Sequence, residues 1–588
     1  MKIEIFFACH RTSDTSPSFF IQFDGGSYIF NVPDGTQRVF MDHKWKVSKI
    51  KAVFMTSLDE ISTGGLLGMI FTMLICENYV VPKLIGSKGL KEQLLCDFAY
   101  KETPEYLPEI SDFYSDENLS VKTIELTETI AFDIQLRSYP GKFLPDKAKK
   151  LGIPPGPLFR KLASGESITL DNGATINPSD CMTDSIPGDN FLVVDARSIN
   201  DLKMIKDLTK YNFVVHFTNN ELLSDPEYIN FFSNSKINFA FNTNNSVSYQ
   251  SVYDIYQECA KLHPDFLAPL TSSSNSIKIP SIYTLISQSD VYRLAPPDKK
   301  KLEFAMKQQE NEVEGEYPKF QTFGVTFLGT GARQPSNMRN VTGLMLHTKS
   351  GIIAIDPGED YYGQLSRKYG KSVTDQLLRE IKMVFVTHIH GDHTFGIHKL
   401  LSERSKLTNE EIIVQADQIL IEELKYYEKF QKFYVNYLNR DTTTVKVGNN
   451  VVTSIPVNHC PGSHAILVEI DGKYRFSFTG DKNQEDEYVK TVGKCDLLVH
   501  EATYDEDKAD KAKEVCHSTV KQAIAAGKEL GAKTCLTHIS GRYSSGISDS
   551  EKCSFFVFDY LFIPFERIDE VEAVCKDMID LMNKKENN

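Results

Sequence analysis

The chain has no CxxC pair, and its 11 cysteines are an odd number scattered without a paired framework. That excludes a disulfide-stapled scaffold and fits a reduced, intracellular chain with mostly buried or inert thiols. There is no long apolar run. The longest, Gly64 to Cys76, is too short for an ordinary membrane span and suits a buried helix. There is no excess of positive charge. The formal net charge of −14 argues against a protein that coats nucleic acid through its bulk field. The opening MKIEIFFACHRTSDTSPSFF contains neither an apolar signal core with a small-residue cleavage site nor an Arg-rich, acid-poor leader. A soluble intracellular protein with no membrane partner is expected, in the nucleus or cytoplasm, with the mitochondrion left open. What is present is ordinary for a folded chain: 588 residues, 41% hydrophobic and 24% charged, enough for two or more domains.

The chain repeats itself. KIEIFFACHRTSDTSPSFFIQFDGGSYIFNVPDGTQR near the start and GVTFLGTGARQPSNMRNVTGLMLHTKSGIIAIDPGED further on share one pattern. Each has a strand, a Gly/Ser/Pro loop, two β-rich runs and a turn. Downstream, KIKAVFMTSLDEISTGGLLGMI lines up with EIKMVFVTHIHGDHTFGIHKLL: a buried strand, a short loop, then an apolar helix. The polar, charged stretch at 299–320 suits a linker. The reading is an α/β protein of two similar layered domains, 1–298 and 321–588, with sheets covered by helices.

The second half holds the chemistry. His388, His390, Asp392 and His393 fall within six residues after an apolar strand. Imidazole nitrogen and carboxylate oxygen suit zinc and related divalent ions, and burying such a cluster without ligands would be costly. His459, Asp481 and His538 each follow an apolar β run, where a two-sheet scaffold can converge them. Seven donors are enough for two ions, and a two-metal site can activate water and stabilise both oxygens of a phosphodiester displacement. In the first half Ser57, Asp59, Ile61 and Ser62 stand opposite His388, His390, Asp392 and His393. Serine and isoleucine cannot rebuild a zinc site, so that copy is expected to be metal-free.

HIHGDH resembles the HxHxDH signature of metallo-β-lactamase hydrolases, which implies a tandem αββα sandwich with a degenerate amino-terminal copy. Other stretches narrow the resemblance to long-form tRNase Z: HST…THISGRY at 517–543, HEATY at 500–504, FTGDK at 478–482 and GTGARQPSNMRN at 329–340. The resemblance implies that His388, His390 and His459 bind one zinc, that Asp392, His393 and His538 bind the other, and that Asp481 bridges. Manganese or another divalent ion stays open on ligand type. It implies Asp392 as a catalytic residue that orients or deprotonates the attacking water, and His517 as general acid to the leaving oxygen, oriented by Glu501. Ser518 or Thr519 capping a helix beside a surface histidine is the plainer alternative for HST. Arg339 and Asn340 match a loop that would contact the tRNA acceptor end, with Asn337 where the family has lysine. Asp356 is read as structural.

A local basic segment completes the pattern. From Lys142 to Lys161 there are six Lys/Arg against one Asp. With its Pro/Gly-rich tip, the segment at about 142–181 resembles the arm by which tRNase Z grips the tRNA elbow, through Lys149, Lys150, Gly156, Pro157, Arg160 and Lys161. The activity implied is removal of the 3′ trailer from precursor tRNA after the discriminator nucleotide, leaving a tRNA 3′-hydroxyl and a trailer 5′-phosphate. The internal duplication implies a monomer. Two rivals remain: another hydrolase of the same fold, and a non-catalytic tRNA-binding protein.

Overall fold

Paired β runs open each half and fold as their alternation requires. In the first half Ile3–Cys9, Ser18–Phe23 and Gly26–Phe30 form an antiparallel meander, and Ile50–Phe54 then adds in parallel. In the second, Gly324–Gly329, Gly343–Thr348 and Gly351–Ile355 repeat that order, and Ile381–Phe385 adds in parallel. A parallel addition needs a crossover. Helices Thr36–Asp42 and Tyr361–Glu380 supply it. The computed structural model describes residues 2–9, 15–74, 76, 81–87, 89–94, 108–139, 141–241, 249–270, 279–296, 299–305, 323–429, 431–483, 486–541 and 553–586.

Each half is a sandwich of two mixed sheets covered by helices: among the described residues, an eight- and a seven-stranded sheet in the first and two seven-stranded sheets in the second. Between the sheets of the first half lie Ile5, Phe7, Phe54, Phe132 and Phe213, all fully buried. The tandem αββα architecture expected from the sequence is the one the chain adopts. None of the described helices is long and apolar enough to cross a membrane.

The expected linker begins as sheet. Lys301–Glu303 pairs with Val291–Ala295 as the outer strand of the first sheet, so the first unit extends past 298. Its alternation was too short to stand out among the neighbouring lysines. Residues 306–320 of that stretch lie outside the described residues.

The basic segment is a small module on a narrow neck. Bridges Tyr139–Ile186 and Phe143–Met182 form the neck. Beyond it, helices Pro145–Lys150 and Pro157–Ala163 and a short hairpin close over Ala148, Ile153, Leu162, Ile168 and Cys181. Gly156, at φ 145°, leads into Pro157 at the first helical position, a place that wants proline's fixed φ and lacks a use for its missing N–H. Lys149, Lys150, Gly156, Pro157, Arg160 and Lys161 are all exposed.

The halves share one buried apolar cluster, which runs from Val39, Leu66 and Tyr256 to Phe327, Phe385 and Cys575. Buried polar pairs cross the same boundary. Gln37 donates to Glu359, Tyr249 donates to Asp360 at 3.1 Å, and Arg38 lies 3.4 Å from Asp559 with both side chains fully buried. Truncating one partner of such a pair strands the other charge, at about 3–5 kcal/mol. Arg38→Ala should therefore lower the urea midpoint by a corresponding amount; an unchanged midpoint would show that the pair contributes nothing to joining the halves.

A second test concerns His216, which is buried between Tyr228 Oη at 2.9 Å and Asn238 Oδ1 at 3.1 Å. Burial drops its pKa from 6.5 to about 4. The unfolded chain takes up this proton first, so stability falls as the pH drops from 6.5 towards 4, by roughly 3 kcal/mol from this group. His216→Gln should flatten the pH dependence of unfolding in that window and leave it unchanged above pH 7.

Candidate metal centre

The donors predicted from sequence sit at the ends of strands in the second half. His388 follows Ile381–Phe385, His459 follows Asn450–Pro456, Asp481 follows Tyr474–Phe478 and His538 follows Lys533–Thr537. His390, Asp392 and His393 occupy the turn into the short helix Gly391–Thr394. These elements bring two donor groups together: His388, His390, His459 and Asp481, and Asp392, His393 and His538.

Distances within the groups are those of shared ligands. His390 Nδ1 lies 3.0 Å from His388 Nε2 and 3.1 Å from His459 Nε2. Nitrogens bound to one tetrahedral zinc at ~2.0–2.1 Å would be about 3.3 Å apart. Asp481 stands between the groups. Its Oδ2 is 3.6 Å from His388 and 3.5 Å from His393, and its Oδ1 is 3.3 Å from His538. Asp392 Oδ2 is 3.3 Å from His538 and 3.7 Å from His393.

The surroundings fix which ring nitrogen faces inward. Thr387 Oγ1 donates to Asp356 at 2.6 Å, so it accepts from His388 Nδ1. His393 Nδ1 donates to Asp356 Oδ2 at 2.7 Å. Thr503 Oγ1 donates to Glu501 at 2.6 Å and so accepts from His538 Nδ1 at 2.7 Å. His459 Nδ1 donates to the Cys516 carbonyl at 2.9 Å. Four Nε2 atoms are thereby left facing the centre, the nitrogen these histidines would offer a metal. Buried His393 Nε2 and Asp481 Oδ1 have no hydrogen-bond partner among the described residues. An orphaned pair of that kind is what an ion would satisfy, so the donor set fits zinc.

Charge follows the same plan. Burial and the neighbouring His393 push His388 well below its usual pKa, which keeps its lone pair available. Burial works against the charge on Asp481, yet His538 and His393 hold it well below the carboxylate range. Beside the donors, His517 Nδ1 meets Glu501 Oε1 at 3.0 Å. Burial opposes the imidazolium, but the Glu501 carboxylate, with Asp481, lifts His517 to about 9. Glu501 is held in turn by the Lys482 N–H at 2.9 Å and by Thr503. Thr519 caps the following helix through Gln522, so the capping role coexists with the His517–Glu501 pair.

Two expected substrate contacts lie elsewhere. Arg339 and Asn340 are each only 2% exposed. Arg339 donates to Thr330 at 2.7 Å and to the Val557 carbonyl, and it stacks on Phe558; Asn340 donates to the Glu359 carbonyl at 2.8 Å. Both shape their loop from inside, and the side chains that face outward are Arg333 and Asn337. Conversely, Asp356, Thr387 and Thr503 escaped notice as ligand-orienting groups. The only signal for the two threonines was a hydroxyl residue beside a strand-end histidine or glutamate. His538 sits in the left-handed region at φ 57°, as does Asp356 at φ 47°. In the first half, Asp59, opposite His390, pairs with Arg197 at 2.9 Å, a fixed cation beside the vanished site.

Comparison with known proteins agrees with this geometry. Residues 352–539 match the beta-lactamase superfamily domain and residues 6–65 the tRNase Z endonuclease family. Over all of both chains the fold is similar to the crystal structure of a long-form RNase Z from yeast, with a TM-score of 0.76 at 15% identity. Fold and donor set define a hydrolase of the metallo-β-lactamase superfamily. A Drosophila melanogaster mitochondrial ribonuclease Z is 26% identical across 89% of this chain and 81% of its own length. For an Arabidopsis thaliana mitochondrial tRNase Z the figures are 24%, 90% and 80%, and for the human zinc phosphodiesterase ELAC protein 2 they are 23%, 90% and 80%. Along about nine-tenths of its length the chain is similar to long-form members of the tRNase Z family.

Removing a carboxylate that backs a metal-bound histidine typically costs 10–100-fold in metal affinity. Asp356→Asn should weaken zinc binding by about that factor in chelator competition, with the far-UV spectrum unchanged. Wild-type affinity in the variant would refute an orienting role for Asp356.

Proposed function

We propose that this chain is a zinc-dependent endoribonuclease that removes the 3′ trailer of precursor tRNA after the discriminator nucleotide. The observation that carries this reading is the convergence of seven metal donors beside the His517–Glu501 pair, in a chain similar along nine-tenths of its length to proteins named tRNase Z. His388, His390 and His459 would hold one zinc, Asp392, His393 and His538 the second, and Asp481 both. Two ions there supply Lewis-acid chemistry, polarising water and screening charge on the phosphate.

The chain's own groups do the rest. Asp392, whose Oδ2 also accepts from the Arg333 N–H at 2.6 Å, orients the attacking water and takes its proton. His517, kept protonated by Glu501, gives a proton to the departing 3′ oxygen. The tRNA leaves with a 3′-hydroxyl and the trailer with a 5′-phosphate. Lys149, Lys150, Arg160 and Lys161 on the necked module meet backbone phosphates, and Gly156 and Pro157 shape its tip. Shape and backbone contacts of this kind make trailer sequence unimportant. With arm and centre in one chain, a monomer suffices. The Arabidopsis and Drosophila relatives are named as mitochondrial, which supports residence in that organelle.

Cleavage of a 3′-extended precursor tRNA, with ends mapped to the nucleotide, tests the reading. The cut should fall after the discriminator, vanish in Asp392→Ala, and slow by roughly 10²–10⁴-fold in kcat in His517→Ala. Arg160→Glu with Lys161→Glu should raise KM and leave kcat near wild type, because those contacts hold ground state and transition state alike. A folded, zinc-loaded protein that leaves precursor tRNA intact would overturn the assignment. Cleavage of a small phosphodiester alone would move it to another hydrolase of this fold.

A further inference from the structure

At one end of the first sheet a groove of about 420 Å³ opens beside the segment that follows helix Thr36–Asp42. Its floor is aromatic. Part-exposed Phe6 and Trp45 lie against buried Phe20, with ring centroids 4.9 Å (Phe6 to Phe20), 5.6 Å (Phe6 to Trp45) and 4.9 Å (Phe20 to Trp45) apart. Its rim is basic. Lys44, Lys46 and Lys49 are exposed, and none forms an ion pair among the described residues. Of the two carboxylates there, Glu4 is already neutralised by Lys2 at 2.8 Å and Arg293 at 3.3 Å, which leaves Asp24. In a chain with a net charge of −14, this is a local reversal of sign.

Its position matters. The groove lies where Ser18–Phe23 ends and Ile3–Cys9 begins, opposite the end whose counterpart in the second half carries the metal donors. The two sheets of the first half run level with each other. Asn118, just before Leu119–Glu125, donates to Tyr28 at 2.8 Å, and at the other end Ile130 N–H donates to the Thr56 carbonyl at 2.8 Å. Ile130–Leu136 therefore finishes at the groove's end of the molecule, and the basic module departs from there.

We infer that this groove binds single-stranded RNA, with phosphates on Lys44, Lys46 and Lys49 and a base against the Trp45–Phe6 floor. Three free ammonium groups call for an anion, and an aromatic floor between them favours a nucleobase over a bare polyanion, since stacking adds to phosphate contact in strand-binding grooves. The site is separate from the metal centre and requires no cleavage.

Trp45 is the only tryptophan in the chain, so its fluorescence reports this groove alone. Full-length protein is titrated with an oligouridylate of about eight nucleotides, within the usual site size of such grooves. A saturable change in emission is expected. Its affinity should fall with salt at a log–log slope of about −2, for three phosphates at ~0.7 each. Lys44→Glu, Lys46→Glu and Lys49→Glu combined should weaken it about tenfold or more, with the far-UV spectrum retained. No saturable change overturns the inference. An equal response to tripolyphosphate or polyglutamate also overturns it, and would make the groove a general polyanion or acidic-protein site. Because no arm of the test reads cleavage as its signal, failure here is distinct from failure of the catalytic assignment.

Discussion

One buried carboxylate ties the second half together. Asp356, at the end of Gly351–Ile355, accepts from the backbone N–H and hydroxyl of Thr387 and from His393, so a single side chain joins a strand end to both sides of the histidine loop. The first half keeps the same closure with an amide in the place of Asp356. There Asn31 accepts from Thr56 N–H at 2.8 Å and donates to its hydroxyl at 2.9 Å. An amide satisfies the backbone as well as an acid does, but the acid adds a negative charge behind an imidazole and so raises its basicity as a ligand.

The first half is more than a relic with an arm. Its Gln37 bonds Glu359, three residues past Asp356, and its Arg38 bonds Gln364 in the next helix at 3.3 Å. Asp559, which faces Arg38, also accepts from Asn340 N–H and from the Thr330 hydroxyl. The loop 329–340 and the turn carrying Asp356 are thus braced by one buried polar layer between the halves. Burying so many charges costs more than an apolar seam would.

Much of this was legible in the sequence, and the limits are instructive. The repeat and HIHGDH gave the fold and the first donors. His459, Asp481 and His538 were readable because each closes an apolar β run, where this architecture gathers its loops. The work of Asp356, Thr387 and Thr503 was hidden because an orienting hydrogen bond leaves no periodicity. Arg339 and Asn340 were recognisable as a motif, yet a motif does not say which way a loop's side chains point. Here the conspicuous cation is inside, clamped on Phe558. The strand Lys301–Glu303 was masked by its own charge, since an edge strand needs only one neighbour and can be polar throughout.

His538 carries a consequence of its own. A β-carbon in left-handed backbone costs on the order of 1–2 kcal/mol, and glycine or asparagine would relieve it. With His538 in its proposed role as a zinc ligand, selection for folding alone and selection for turnover pull this position in opposite directions. A library enriched only for thermal resistance would drift away from histidine at 538 and so dismantle the proposed metal site.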